Sequence, residues 1–474
     1  MADVRAVPVA GEWIKGSETR VVSSPYDGSE VGRVPVLGRV EVDRAVAAAK
    51  AALDEPFPAW QRAAVLDRAA RVLEERQGDF ARTIAAESAK PLKTATGEAA
   101  RAVSTFIFAA TEARKLVGEM VPIEAADGGA GKVAFTIRVP IGVVGAITPF
   151  NFPLNLVAHK VAPAIAAGCP IVLKPAGQTP LSAIFLAEVL IHDCGLPAER
   201  LSVVTGPGTS VGDALVEHPD VALLTFTGSP EVGWGIRQRA PRKKVDLELG
   251  NNSPLIIHAD GDWQAAAEKV KVAGFSHAGQ SCISTQRLFV HTDVLGPFVD
   301  ALVARVEALV VGDPMDQATD VSSLISAEDT ERVKAWVDDA VAEGAKLACG
   351  GDVVDGVLQP TVLTEVTPGM KVSSHEVFGP VVGVQSYTDF DDALTLANDS
   401  RYGLQAGVYT ADLGRAMQAA RTLDFGGVLI NEVPTWRADQ MPYGGLRDSG
   451  NTREGPAYAV REMTESRLVV LGSA

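Results

Sequence analysis

PIGVVGAITPFNFPLNLVAHKVAPAIAAGCPIVLKPAGQTPLSAIFLAEVL, residues 140–190, sets the pattern of the chain. IGVVGAIT is an apolar run of strand length, and PLNLVAHKVAPAIAAG is long enough for a helix. PIVLKPA is again strand-like, and PLSAIFLAEVLIHDC again helical. The alternation continues through LSVVTG, VALLTFTG, SPEVGWGIRQRA, KKVDLELG and PLIIH, as far as His258. Short Val/Ile/Leu-rich runs alternating with helices predict an α/β fold with a parallel, doubly wound sheet. Such sheets bind ligands beyond the carboxyl ends of their strands. Functional residues are therefore sought in the residue or two after each strand.

Working outward, the first ~60 residues mix short β-rich runs with Gly and Pro. A helical block spans about Val42 to Leu116, with apolar residues recurring at three- and four-residue spacing, as in AAVLDRAARVLEE. The Gly-rich strip Ala125–Lys132 reads as a hairpin loop. A second α/β alternation runs from about Asp262 to Val428. SRLVVLGS near the C-terminus looks like an isolated strand that adds to an edge, in this chain or a neighbouring subunit. No repeat or low-complexity linker is present.

The 474 residues suit two or three domains at roughly 150 residues each. With 43 Lys+Arg against 59 Asp+Glu the net charge is −16, which disfavours nucleic acid and membrane surfaces as partners. No apolar run reaches the ~20 residues of a membrane span, and the first residues lack the apolar core of a signal peptide. Cys169, Cys194, Cys282 and Cys349 show no CxxC spacing, which argues against a zinc site or disulfide framework and for a reducing cytoplasm.

Three residues stand out chemically. Cys282, in SHAGQSCIST, sits among small polar residues, and Gly279 permits close backbone approach; a thiolate there is a good nucleophile toward a carbonyl carbon. The other three cysteines fit the alternative, a buried and inert thiol. Glu248 closes the apolar strand KVDLELG, where it either faces solvent or, if buried, is tuned toward general-base work. Asn151, in ITPFNFPLN, is either a turn or N-cap residue or an amide donor to a developing oxyanion. Weaker signals are the glycines of TGPGTSVG and GSPEVG, where free N–H groups at a helix start could meet a phosphate, and Lys174 at a strand's carboxyl end.

The combination resembles the aldehyde dehydrogenase superfamily over nearly the whole chain. TPFNFPLN, KPAGQTPLSA, FTGSPEVG, LELGNNSP, GQSC, HEVFGPV and MPYGGLRDSG occur in the family's order, and the separation 282 − 248 = 34 is the family's spacing. The resemblance implies a Rossmann-like cofactor domain (1–116 and 135–248), an α/β catalytic domain (249–448) and a small β oligomerisation arm (117–134 and 449–474). It implies that Cys282 attacks the aldehyde, that Asn151 and the Cys282 backbone N–H hold the oxyanion, and that Glu248 activates water to hydrolyse the thioester. Relatives that pass the acyl group to coenzyme A generally lack that glutamate, so a free acid is the expected product. A CoA-acylating enzyme and a catalytically silent nucleotide-binding protein are the alternatives. Lys174, Thr148, Gly208, Gly228, Ser229, Gly233, Glu376 and Phe378 are implied as cofactor contacts.

Two departures bear on specificity. Gly177 stands where many NAD-preferring relatives have a glutamate that repels a 2′-phosphate, so NAD or NADP is expected, with NADP tolerated. LELGNNSP differs from the commoner LELGGKSP at Asn251 and Asn252. For the substrate, Arg101 is a candidate anion-binding arginine or a solvated helix residue. Ser281, where relatives handling dianionic aldehydes have a second arginine, argues against a dianion. Asn155 and His159 lie one helical turn apart beyond Asn151, and His159 has the alternative of a packed helix residue. Trp436 and Arg437 fall in INEVPTWRADQMPYGG, which resembles the lactaldehyde, sulfolactaldehyde and phosphonoacetaldehyde branches; Arg437 is either a tunnel-mouth or an interface residue. The expectation is a small, polar or singly anionic aldehyde, no metal, and a homodimer or homotetramer.

Overall fold

The computed structural model describes residues 4–472; the ends of the expected first and arm segments, 1–3 and 473–474, lie outside the described residues. Five parallel strands form the first sheet, in the order Lys244–Glu248, Val221–Thr227, Val143–Ile147, Ile171–Lys174, Leu201–Val203. The chain starts at the central strand, fills one side, then returns to fill the other. The order reverses between Val143–Ile147 and Val221–Thr227, and a crevice at such a point is the expected ligand site. The helix Asn155–Ala167 is buried along its entire length, including His159 and Lys160. It packs against the long helix Leu92–Lys115, whose stripe of Ala95, Ala99, Ala102, Phe106 and Ala109 lets the two axes approach closely.

The second sheet has seven strands, in the order Lys346–Cys349, Thr361–Thr364, Val381–Tyr387, Arg287–His291, Pro254–Ile257, Gln405–Tyr409, Gly427–Ile430. Every pairing is parallel except that of the edge strand Lys346–Cys349. Cys349, on this edge, is half-buried, whereas Cys169 and Cys194 are buried. Only Leu249–Ser253 separates the last strand of the first sheet from the first strand of the second.

The hairpin at 125–132 is present, with Met120–Val121 antiparallel to Val133–Pro140. The C-terminal strand Thr464–Leu471 pairs along its whole length with Val133–Pro140 of the same chain. It therefore has a home sheet within the protomer. Residues 135–140 belong to this three-stranded sheet, and the helix Pro456–Glu462 packs on Asn155–Ala167.

Candidate active site

The carboxyl ends of the first sheet and the amino ends of several second-sheet strands meet at one cleft. Its outer part, 590 Å³, is lined by Thr148, Lys174, Gly208, Thr227 and Gly228, among others. A contiguous inner part, 280 Å³, is lined by Asn151, Gly228, Ser229, Leu249, Cys282, Glu376 and Phe378.

Asn151 is 3% exposed. Its Nδ2 donates to Gln280 O at 2.9 Å, and its Oδ1 has no partner. It is not an N-cap, since Leu154 holds that position. Its own carbonyl accepts from Lys90 Nζ at 2.6 Å. Lys90 is ion-paired with Glu98, both fully buried. The other Glu98 oxygen accepts from the N–H groups of Leu154 and Asn155 at 2.9 and 3.1 Å. A buried Lys–Glu pair thus ties the Asn151 turn to the start of the following helix, where a carboxylate also complements the helix dipole.

Cys282 is half-buried. It follows a turn in which His277, Ala278 and Gly279 all adopt left-handed backbone, with φ of 50°, 52° and 70°. A Cβ at Gly279 would lie 2.0 Å from Gly379 O, so only glycine fits. The thiol lies 3.0 Å from the Tyr443 hydroxyl. Desolvation pushes its pKa up to about 12, against the lowering effect of that hydrogen bond. The resting sulfur is a thiol, and ionisation needs help from Tyr443 and a base.

Glu248 is 3% exposed, not solvent-facing. Both carboxylate oxygens lack partners. Burial, followed by the neighbouring Glu454 charge, raises its pKa well above the carboxylate range. Glu376 is half-buried; desolvation raises it to about 8, although Asn251 N–H donates to its Oε1 at 3.0 Å. Phe378, at φ 51°, meets Phe150 edge-on at 5.8 Å.

The remaining expected cofactor residues separate. Thr148 Oγ1 and Thr227 Oγ1 are buried without partners beside the cleft, which fits a ligand bearing hydroxyls or phosphates. Ser229 caps the helix Pro230–Arg239, accepting from Val232 N–H. Gly233 lines neither part of the cleft; a Cβ there would lie 2.5 Å from Leu249, so this glycine serves helix–sheet packing. Gly177 sits just outside, in an adjoining pocket. Asn251 and Asn252 are buried and hold the Leu249–Ser253 link: Asn251 Nδ2 donates to Ser253 Oγ at 2.8 Å, and Asn252 Nδ2 to Ser373 O at 2.8 Å. That gives these two departures a structural role.

Four of the expected substrate residues, Arg101, Asn155, His159 and Arg437, join one largely buried charged network with partners the sequence did not suggest. Arg101 pairs with Asp439 at 2.8 Å. His159 Nε2 lies 3.0 Å from the same Asp439 oxygen, and Asn155 Nδ2 donates to it at 3.4 Å. Arg101 is therefore no solvated helix residue, and its charge is already answered. Burial opposes ionisation of Asp439, but the His159 hydrogen bond and the Arg101 charge outweigh it and hold the carboxyl below its usual range. Burial, then the Arg437 charge, lowers His159, leaving it neutral. Arg437 points inward rather than to an interface: it pairs with Glu454 at 3.1 Å and stacks over the Tyr443 ring at 3.7 Å. Lys160 reaches Glu454 at 3.2 Å from the other side. Three cations, Arg101, Arg437 and Lys160, thus face two anions, Asp439 and Glu454. Trp436 is 51% exposed, and Ser281 is half-buried beside Cys282. Among the described residues no cluster of metal-ligating side chains is gathered.

Comparison with known proteins agrees with this geometry. Residues 13–469 match the model of the aldehyde dehydrogenase family. The 3-sulfolactaldehyde dehydrogenase of Priestia aryabhattai is 47% identical over 463 residues, covering 98% of this chain and 97% of that one. Aldehyde dehydrogenase 21 of Physcomitrella patens, solved with its reaction product succinate, superposes with a TM-score of 0.96 at 38% identity, covering 100% and 99% of the two chains. The NADP-dependent glyceraldehyde-3-phosphate dehydrogenase of Bacillus halodurans, solved with NADP, gives 0.96 at 37% identity, covering 100% of each. By sequence, by fold and by the residues gathered in its cleft, the chain belongs to the aldehyde dehydrogenase family.

Proposed function

We propose that this chain oxidises a small polar aldehyde bearing at most one negative charge to its carboxylic acid, with NAD or NADP, through a thioester on Cys282. The observation that carries the reading is Glu248, a buried carboxylate without a partner whose charge acts on the Cys282 thiol. Leaving such a group unpaired is costly, and it is suited to a water that arrives only with the reaction.

Cys282 Sγ releases its proton to solvent and bonds to the aldehyde carbon, moving the carbonyl electron pair onto oxygen. Tyr443 donates to the thiolate. The Asn151 amide, held through Gln280, presents its second N–H to the new oxyanion beside the Cys282 backbone N–H. When bound, the oxidised nicotinamide supplies the hydride acceptor. With the hydride gone, the carbon is a thioester. Ionised Glu248 then takes a proton from water; the hydroxide adds, and the carbon–sulfur bond breaks with its electron pair returning to sulfur. Glu248 makes hydrolysis a better reading than transfer to coenzyme A. Thr148, Lys174, Gly208, Gly228, Ser229, Glu376 and Phe378 are the residues that would hold the dinucleotide.

The single surplus positive charge of the Arg101–Arg437–Lys160 network supports a singly anionic substrate over a dianion. A sulfonated aldehyde for one relative and a succinate product for another agree with it. The sheet of Met120–Val121, Val133–Pro140 and Thr464–Leu471 exposes Met120, Leu468, Val470 and Leu471. That apolar surface suits an arm through which copies form a homodimer or homotetramer. No helix among the described residues is long and apolar enough to cross a membrane; a working thiol suits the reducing cytoplasm.

The test is cofactor reduction over short aldehydes with each dinucleotide: lactaldehyde, glycolaldehyde, succinic semialdehyde, 3-sulfolactaldehyde and phosphonoacetaldehyde. The highest kcat/KM is expected with a singly charged member. Preference for the phosphonate would refute the charge argument, and inactivity with all of them the reaction itself.

A further inference from the structure

Gln286 lies four residues beyond Cys282, at the entry to the strand Arg287–His291. It is 5% exposed. Its backbone is fixed from both sides: its N–H donates to Ser253 O at 3.1 Å, and its carbonyl accepts from Gly383 N–H at 2.8 Å. Its side chain reaches into the segment that carries Glu376 and Phe378. Nε2 donates to Val372 O at 3.0 Å and to His375 O at 2.7 Å. Oε1 accepts from Val377 N–H at 3.0 Å. One amide thus grips the main chain on both sides of Glu376.

The demand suits an amide. Two carbonyls take donors and one N–H takes an acceptor; turned over, the group would set oxygen against oxygen and N–H against N–H. A carboxylate offers no donor, and a thioether offers no donor and only a weak acceptor. The nucleophile's turn also rests on this segment. Gly279, three residues before Cys282, packs so closely on Gly379 that a Cβ there would lie 2.0 Å from Gly379 O. Cys282, Glu376 and Phe378 line one inner cleft. Arg332 also holds Val377, donating to its carbonyl at 3.0 Å, but it does so from the helix Ala327–Ala342. Gln286 reaches the segment from the nucleophile's own stretch of chain.

We propose that Gln286 is a positioning residue for hydride transfer: its amide fixes the segment 372–378 relative to the thiol that carries the substrate. The proposal rests on the reading that Glu376 and Phe378 hold the nicotinamide end of the dinucleotide. The carbon that gives up hydride is borne by Cys282, and the acceptor lies where the segment puts it. Reacting atoms must meet at about 3–3.5 Å, and a misplacement of about 1 Å costs about 10²-fold. A residue that touches neither reactant then governs the rate by setting their separation. The reactivity of the thiol itself is set chiefly by burial and by Tyr443.

The test compares the full chain with its Gln286→Glu and Gln286→Met variants. The readouts are the stopped-flow burst of reduced cofactor at saturating dinucleotide and the alkylation of Cys282 by iodoacetamide, both across pH. In Gln286→Glu an ionised carboxylate meets two carbonyls; protonated, it donates to one of them and still accepts from Val377 N–H. Burial and the carbonyls favour the protonated form. The burst should be about 10²-fold slower than wild type at high pH. The ratio of variant to wild type should recover as pH falls, with alkylation as in wild type throughout. Gln286→Met should be slow at every pH. A burst unchanged in both variants overturns the proposal, as does a slow burst in Gln286→Glu that ignores pH. Alkylation that falls in step with the burst, or loss of the fold in both variants at every pH, also overturns it, since either makes Gln286 merely structural. Glu376→Ala separates the underlying reading. If it leaves dinucleotide binding and the burst intact, that reading fails and the proposal with it; if it impairs them while the Gln286 variants do not, the proposal alone fails.

Discussion

Replacing Tyr443 by Phe isolates one hydrogen bond on the nucleophile. The hydroxyl lies 3.0 Å from Cys282 Sγ, and the ring is 2% exposed under the Arg437 guanidinium. Phe keeps the ring and the stack, so packing loss is small. A hydrogen bond to an ionised partner contributes ~1.5–3 kcal/mol and one between neutral groups ~0.5–1.5, so the thiolate loses roughly 1–2 kcal/mol more than the thiol. At 1.36 kcal/mol per pKa unit, the thiol pKa rises by about one unit. Below that pKa the thiolate fraction falls about tenfold, and kcat/KM falls with it if acylation limits. The direct assay is Cys282 alkylation by iodoacetamide as a function of pH. The variant's rate should be about tenfold lower at every pH below the midpoint, and the midpoint should move up. An unchanged alkylation profile would refute the assignment of Tyr443 as a thiolate donor, even if turnover fell.

Three further outcomes are expected. Glu248→Gln should keep a first-turnover burst of reduced cofactor but slow the steady state about 10²–10⁴-fold, the usual contribution of a general base; stopped-flow absorbance separates the two phases. Because burial raises Glu248, the base is ionised only as pH rises through that raised value, so the acid limb of kcat should lie well above the ordinary carboxylate range and vanish in the variant. Glu98→Gln strands the buried Lys90 charge and should cost about 3–5 kcal/mol in denaturant unfolding, while the Lys93–Asp320 surface pair, removed by Asp320→Asn, should cost at most about 1. Asp439→Asn frees Arg101 and raises the surplus charge of the network from one to two. Selectivity for phosphonoacetaldehyde over succinic semialdehyde should rise by about tenfold, as expected for one extra charge about 12 Å away at an effective dielectric near 20; an unchanged ratio would remove Arg101 from the substrate's surroundings.

The strands of the first sheet were legible because a parallel sheet is covered on both faces and its strands read as unbroken apolar runs. Their exits held Asn151, Lys174, Gly228 and Glu248. The same rule does not find Cys282, which precedes its strand, Arg287–His291; its motif identified it. The charged network was hidden because its partners are far apart in sequence, with Arg101 and Asp439 separated by 338 positions. Glu98 did leave a trace, as a carboxylate on the apolar stripe of its helix between Ala95 and Ala102. Lys160, inside an otherwise largely apolar helix, left another. The Arg20 guanidinium that donates to Gly177 O was not foreseen, because it lies 157 positions away on a strand whose path no local pattern reveals. The packing of Gly233 against Leu249 was not legible, because a glycine required by a phosphate and one required by a neighbouring leucine look alike in sequence.

The segment Leu249–Ser253 leaves Glu248 at the end of one sheet and delivers the chain into the other within five residues. It is held by Asn251, Asn252, Ser449 and Glu376, so both sheets are anchored to it. If the two halves of the molecule rock against each other to admit and release the dinucleotide, the motion is greatest at the outer rim and smallest at this axle. Base and nucleophile come from opposite halves, yet both sit next to the point that moves least. Exchange at the rim can then proceed while the reactive spacing is preserved, and a lengthened axle should loosen the chemistry before it loosens binding.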